Sequence, residues 1–179
     1  MRQQGFTILE LLIVAVFITA FASLVFSGFG DSSRSAKEAT LRSNLATLRD
    51  MIERYHADHG RFPGGNSVFF GSDCPVNGGR AYLTSGESSM RVELGLYSDK
   101  LGYVCTRPLD GYVYGPYTEV RSVFTNPVTG SNDIRTIGTG DLVIEPDGAG
   151  GGFKYDFYTG RIIANDTGTD LSGIPFSEY

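Results

Sequence analysis

Gly5-Phe6-Thr7-Ile8-Leu9-Glu10-Leu11-Leu12-Ile13-Val14 opens an apolar run that reaches Phe29 with one ionisable side chain, Glu10. As a helix the run from Phe6 to Phe29 extends roughly 36 Å. A hydrocarbon core is about 30 Å thick, so the run is long enough to span a bilayer. Arg2 is the only basic side chain ahead of it. The positive-inside rule then keeps the N-terminus in the cytoplasm and sends residues 31–179 outside. A cleaved secretory signal fits less well, because its apolar region is only about 7–15 residues and ends in small residues. The other plain reading is a signal-anchor helix with Glu10 near the headgroups. A carboxylate in a spanning segment is costly unless paired, which marks Glu10 as a functional residue.

The order of these residues resembles the class III (prepilin) signal of type IV pilins and of the pseudopilins of type II secretion. The resemblance implies cleavage between Gly5 and Phe6 by a prepilin peptidase on the cytoplasmic face. It also implies N-methylation of Phe6, with Glu10 as the acidic assembly residue. On that resemblance, the Phe6 amine of one subunit is expected to neutralise Glu10 of the next in a filament, which would set the register between apolar helices. Thr19 and Ser27 stand where many members of the family have Gly and Pro. Gly28 and Gly30 lie close by, so any flexible stretch falls there instead.

Residues 31–59 continue with helical periodicity. Leu41, Leu45, Leu48, Ile52 and Tyr55 draw one apolar stripe, opposite Arg42, Arg49, Asp50, Glu53 and Arg54. Ser35 and Glu38 match a capping box, which would restart the helix after a break near Gly28–Ser35. The alternative is one rod to about His59. Gly60 and Pro63 end the helix either way. Tyr55-His56-Ala57-Asp58-His59-Gly60-Arg61-Phe62-Pro63 resembles the end of the pseudopilin helix and extends the likeness to residue 63. His56 and His59 beside Asp58 read as a polar helix end rather than a metal site.

The remainder reads as a loop-rich β domain, with 24 Gly, 10 Tyr, 12 Phe and no Trp. Val68-Phe69-Phe70 and Ala81-Tyr82-Leu83 are expected as short strands, and Met90–Tyr97 as a helical turn or a strand. Pro75 and Gly78-Gly79 mark turns. Asp141-Leu142-Val143-Ile144-Glu145 reads as a strand. Phe153, Tyr155 and Phe157 alternate with polar residues, turn at Thr159-Gly160 and return through Arg161–Asn165 as a hairpin. That hairpin also resembles the last one of pseudopilin-like proteins.

Cys74 and Cys105 face an oxidising compartment under this topology. They either pair, at about 3–4 kcal/mol in the chain-entropy model, or remain free thiols. Asp166-Thr167-Gly168-Thr169-Asp170 offers hard oxygen ligands. Major pseudopilins hold calcium in a comparable loop, so the resemblance offers Asp166 and Asp170 as calcium ligands, but the residues themselves read first as a solvated acidic turn. The Gly148–Gly152 run has no Gly-Lys-Ser/Thr after it and reads as a flexible loop. A net charge of −5 argues against broad nucleic-acid binding.

The expected fold class is α+β. A long N-terminal helix, transmembrane in its first half and amphipathic in its second, packs on a small antiparallel β-sheet domain, the pilin lollipop. The expected divisions are a leader 1–5, a transmembrane assembly helix 6–29, an amphipathic helix 30–60 and a periplasmic or extracellular β-rich domain 61–179. The family resemblance implies an inner-membrane protein that becomes a subunit of the type II secretion pseudopilus. Its partners would be other copies of itself, other pseudopilins and an inner-membrane assembly platform. A type IV pilus pilin serving adhesion, motility or DNA uptake is the alternative, and a membrane-tethered binding module a further one. An enzyme is disfavoured, since no nucleophile, orienting acid or metal-ligand spacing accompanies the histidines. Replacing Glu10 by Ala is expected to leave membrane insertion intact and to abolish filament incorporation. Cell fractionation with filament shearing checks both, and normal assembly of the variant would refute the role.

Overall fold

A computed structural model of the chain describes residues 7–72, 74, 81–83, 86–118, 124–148 and 151–179, without the side chains of 23–29 and 81–83. The turn signals at Pro75 and Gly78-Gly79 lie outside the described residues. The fold is α+β, in the order α1 (Ile8–His59), β1 (Val68–Phe69), β2 (Ala81–Leu83), α2 (Glu87–Gly95), β3 (Tyr97–Ser98), β4 (Val104–Cys105), β5 (Ile134–Ile137), β6 (Phe153–Asp156) and β7 (Ile162–Ala164). A short 3-10 turn follows at Phe176–Glu178. The chain divides into two compact units, Met1–Lys37 and Glu38–Tyr179.

Helix α1 runs unbroken through Gly30 and Ser35. Of the two alternatives, the continuous helix is the one formed, and Ser35 is an interior residue rather than a cap. A cap needs a non-helical backbone, and no proline interrupts the chain before Pro63. The helix stops at Gly60, whose φ of 70° is the left-handed conformation of a helix C-cap. Its amide donates to His56 O at 2.7 Å.

In the unit Glu38–Tyr179, the predicted stripe is the core. Leu41, Leu45, Leu48, Ile52 and Tyr55 are fully buried, and Met51 joins them. They pack against Met90 and Leu94 of α2, and against Ile134, Phe153, Tyr155, Ile162 and Ala164 of the largest sheet. A second cluster gathers Val68, Phe70, Val104 and Tyr112 around a disulfide joining Cys74 and Cys105, with Cα atoms 5.6 Å apart. Met90–Tyr97 resolves into most of α2 followed by β3.

The sheets depart from the all-antiparallel expectation. Strands β1 and β2 pair antiparallel, as do β3 and β4 and the hairpin β6–β7. Strand β5, however, lies parallel to β6, in register from Ile134↔Phe153 to Ile137↔Asp156. The expected strand Asp141–Glu145 is irregular. It belongs to the long connection that a parallel pair requires. Leu142 and Val143 are 74% and 69% exposed, and only Ile144 turns inward. Where that connection returns, a Cβ on Gly152 would lie 2.6 Å from Asp133 O, so only glycine fits the parallel entry into β6.

One buried carboxylate fastens the end of α1. Glu93 of α2 is fully buried. It accepts the Tyr55 hydroxyl at 2.8 Å and the Gly64 amide at 2.5 Å, and its Oε1 lies 2.7 Å from Arg61 Nη1. Tyr155 donates to Pro63 O at 2.9 Å, tying β6 to the same turn. A buried charge is tolerated only with such partners. Leu48→Ala is expected to cost about 2–5 kcal/mol. Leu142→Ala should stay within about 0.5 kcal/mol. Equilibrium urea unfolding of the two variants distinguishes the core stripe from the exposed connection.

Candidate functional site

The first turn of α1 is set by Thr7. Its Oγ1 and main-chain oxygen both accept from the Glu10 amide, at 3.3 and 3.1 Å. That is the N-cap half of a capping box, Thr-x-x-Glu. The signal is present in the sequence as Thr7 and Glu10, inside the stretch that carries the resemblance. The cap places Glu10 in the first turn, where the positive end of the helix dipole favours a carboxylate.

Beyond this cap the helix is apolar on all sides and uncovered. Ile8 is 85% exposed and Phe21 65%, and Leu11, Leu12, Phe17 and Ile18 are exposed between them. A helix apolar all round is built for burial against lipid or other helices. Among the described residues no helix is long and apolar enough to cross a membrane. Gly5 and Phe6, the expected cleavage and methylation positions, lie outside the described residues, as does Arg2.

The other expected site residues sit in the second unit. Asp166 Oδ1 accepts the Gly168 amide at 2.7 Å, closing a local turn. Asp170 is 5% exposed. Its Oδ1 takes the amides of Ser172 and Ile174, and its Oδ2 takes Arg42 at 2.6 Å and the Tyr179 hydroxyl at 2.8 Å. A calcium ion does not fit these residues, because a guanidinium already occupies the buried carboxylate. Among the described residues no group of three or more His, Cys, Asp and Glu is arranged to hold a metal. His59 stacks on Tyr55 with ring centres 4.1 Å apart and contacts Ser98 Oγ, while His56 stacks on Phe62 at 4.2 Å. Both are packing groups at the helix end.

Two arginines expected on the solvent face of α1 are thus engaged within the domain. Arg42 reaches Asp170, and Arg49 donates to the main-chain oxygens of Ile162 and Tyr179. Asp50 and Arg54, also on that face, form an exposed i,i+4 ion pair at 2.9 Å. A cleft of about 710 Å³ opens between Arg49, Glu53, the 143–145 connection and Arg161.

The arrangement defines a class: a chain that presents a capped, bare apolar helix with a single acid at its start, followed by a helix-and-sheet domain. Within that class the chain is similar to type II secretion system core protein G from several bacteria. It is 34% identical over 62 residues to that of Klebsiella pneumoniae, covering 35% of this chain and 44% of the relative. With that of Dickeya chrysanthemi it shares 32% over 62 residues, covering 35% and 40%. With that of Escherichia coli K12 it shares 31% over 62 residues, covering 35% and 43%. The chain spans less than half the length of the curated relatives it matches. No family model and no solved structure matches. The likeness to major pseudopilins read from residues 5–14 and 55–63 is supported by these relatives.

Two carboxylates in this domain have depressed pKa values. The Ile174 amide, with Tyr179, the Ser172 amide and Arg42, holds Asp170 below the usual range against the effect of burial. At Asp156 burial pushes upward, but the Thr139 hydroxyl and the amides of Tyr158, Gly140 and Thr159 together hold it low. The unfolded value is about 3.9. A depressed carboxylate contributes stability that is complete above that value and is lost as pH falls through the folded value. The urea midpoint is therefore expected to fall below about pH 4. Asp156→Asn should lower it at neutral pH and flatten its acid dependence, as read by urea titrations at several pH values.

Proposed function

We propose that this chain is a structural subunit of a type II secretion pseudopilus. The bare apolar helix with Glu10 in its first turn is the observation that carries the reading. The relatives named type II secretion system core protein G support it independently.

The steps of this role combine the physics of that helix with what the family resemblance implies. The precursor enters the inner membrane once, with its N-terminus cytoplasmic and the domain in the periplasm. A prepilin peptidase removes residues 1–5 and methylates the new Phe6 terminus. An assembly platform then draws subunits out of the bilayer. Lipid contacts on the apolar helix are replaced by contacts with neighbouring helices, which costs little because both surroundings are apolar. The Glu10 carboxylate cannot stay unpaired in that setting, and the Phe6 amine of an adjacent subunit neutralises it. A mismatch of register leaves a buried charge uncompensated, at about 3–5 kcal/mol, so the pairing selects one stacking. Together with other pseudopilins, the filament helps drive folded proteins across the outer membrane. Catalysis has no part in this role.

Mass spectrometry of protein purified from membranes tests the reading. The expected mature chain begins at N-methylated Phe6. A chain that still begins at Met1 favours a tethered binding module over a filament subunit.

A further inference from the structure

We propose that the segment Asp166–Tyr179 is fastened to α1 by an arginine clamp centred on Asp170, which takes up the positions a divalent cation would use, so that this domain is independent of calcium. The inference starts from the acceptor capacity of the carboxylate. An ionised aspartate offers about four lone-pair sites. At Asp170 four donors claim them: the amides of Ser172 at 2.8 Å and Ile174 at 2.9 Å, the Arg42 guanidinium at 2.6 Å and the Tyr179 hydroxyl at 2.8 Å.

The rest of the cluster keeps Arg42 in place. Its guanidinium lies 4.1 Å from the centre of the Tyr179 ring, a cation–π contact. The Tyr179 ring meets Phe176 edge-on at 5.5 Å, and Phe176 belongs to the main core. Arg49, two helical turns along α1, donates to the main-chain oxygens of Tyr179 and Ile162. The segment therefore has a charge-assisted bond at one end and an arginine on its backbone at the other. A calcium ion at Asp170 would have to displace Arg42 or sit beside a like charge, and either is unfavourable. Asp166, the other expected ligand, has Oδ1 committed to the Gly168 amide.

The test is thermal unfolding of the full chain in detergent micelles, followed by circular dichroism, in excess EDTA and in millimolar calcium chloride. The wild-type midpoint is expected to move by less than about 1 °C, whereas a loop held by calcium at hundredfold excess would gain roughly 5–10 °C. Arg42→Ala and Asp170→Asn are each expected to lower the midpoint by about 3–6 °C, with no recovery on adding calcium. Tyr179→Phe removes one donor alone and should give a smaller loss. A calcium-dependent wild-type midpoint overturns the proposal, as does a wild-type midpoint in both the Arg42 and Asp170 variants. The wild-type comparison decides the matter even if a variant fails to fold. None of these outcomes bears on the filament reading, which rests on Glu10.

Discussion

An apolar helix surface that no described residue of its own unit covers is the constraint on which the remaining features depend. Each square ångström of such surface costs about 25 cal/mol in water. From Ile8 to Phe21 the large side chains are exposed on every side of α1. The chain resolves this differently in its two halves. Past Glu38 the helix narrows its apolar surface to one stripe and buries it under a sheet. From Ile8 to Phe21 it keeps the surface bare, which suits burial against lipid or other helices. Thr7 and Glu10 form the polar boundary at its start, where the Thr7 hydroxyl and main-chain oxygen accept the Glu10 amide and the carboxylate lies in the first turn.

The second half of α1 is held within the domain at its C-terminal end. Its C-terminal turn ends on Gly60, and the chain then passes directly over Glu93. That carboxylate gathers a tyrosine from the helix, an arginine from the turn and a backbone amide beyond it. A buried charge with such partners adds little net stability, yet it is costly to misplace. It therefore fixes where α2 lies against α1. Burial by itself raises the Tyr55 hydroxyl far above its ordinary pKa, and the facing Glu93 charge adds to this, so the phenol remains a donor.

At the other end of the domain the same logic applies to aspartates. Asp156 closes the tip of the β6–β7 hairpin, with the Thr139 hydroxyl and amide, the Gly140 amide and the Tyr158 amide directed at its oxygens. Asp170 organises the last turns in the same way, with Arg42 in addition. Both are acids converted into hubs for donors that the loops cannot pair among themselves. Loop-rich domains carry many such donors, and unpaired ones are expensive once buried. Gly-rich connections and saturated carboxylates thus accompany one another here.

The sequence by itself determined the long apolar helix, its lone acid, the amphipathic stripe and the final hairpin. All of these depend on local periodicity: helical spacing from Leu41 to Tyr55, and alternation from Phe153 to Tyr155. Whether α1 breaks near Ser35 depended on a balance between cap and helix that spacing leaves open. Tertiary structure alone decided that β5 lies parallel to β6, that Asp141–Glu145 is a connection rather than a strand, and that Arg42 and Arg49 bond to groups of the domain. A strand is defined by its hydrogen-bond partner, and Phe153 finds Ile134 across an intervening loop that no periodicity records. The direction of an arginine is likewise set by a carboxylate or carbonyl more than a hundred residues away. Local pattern fixes which residues are apolar; long-range contact fixes which charges meet.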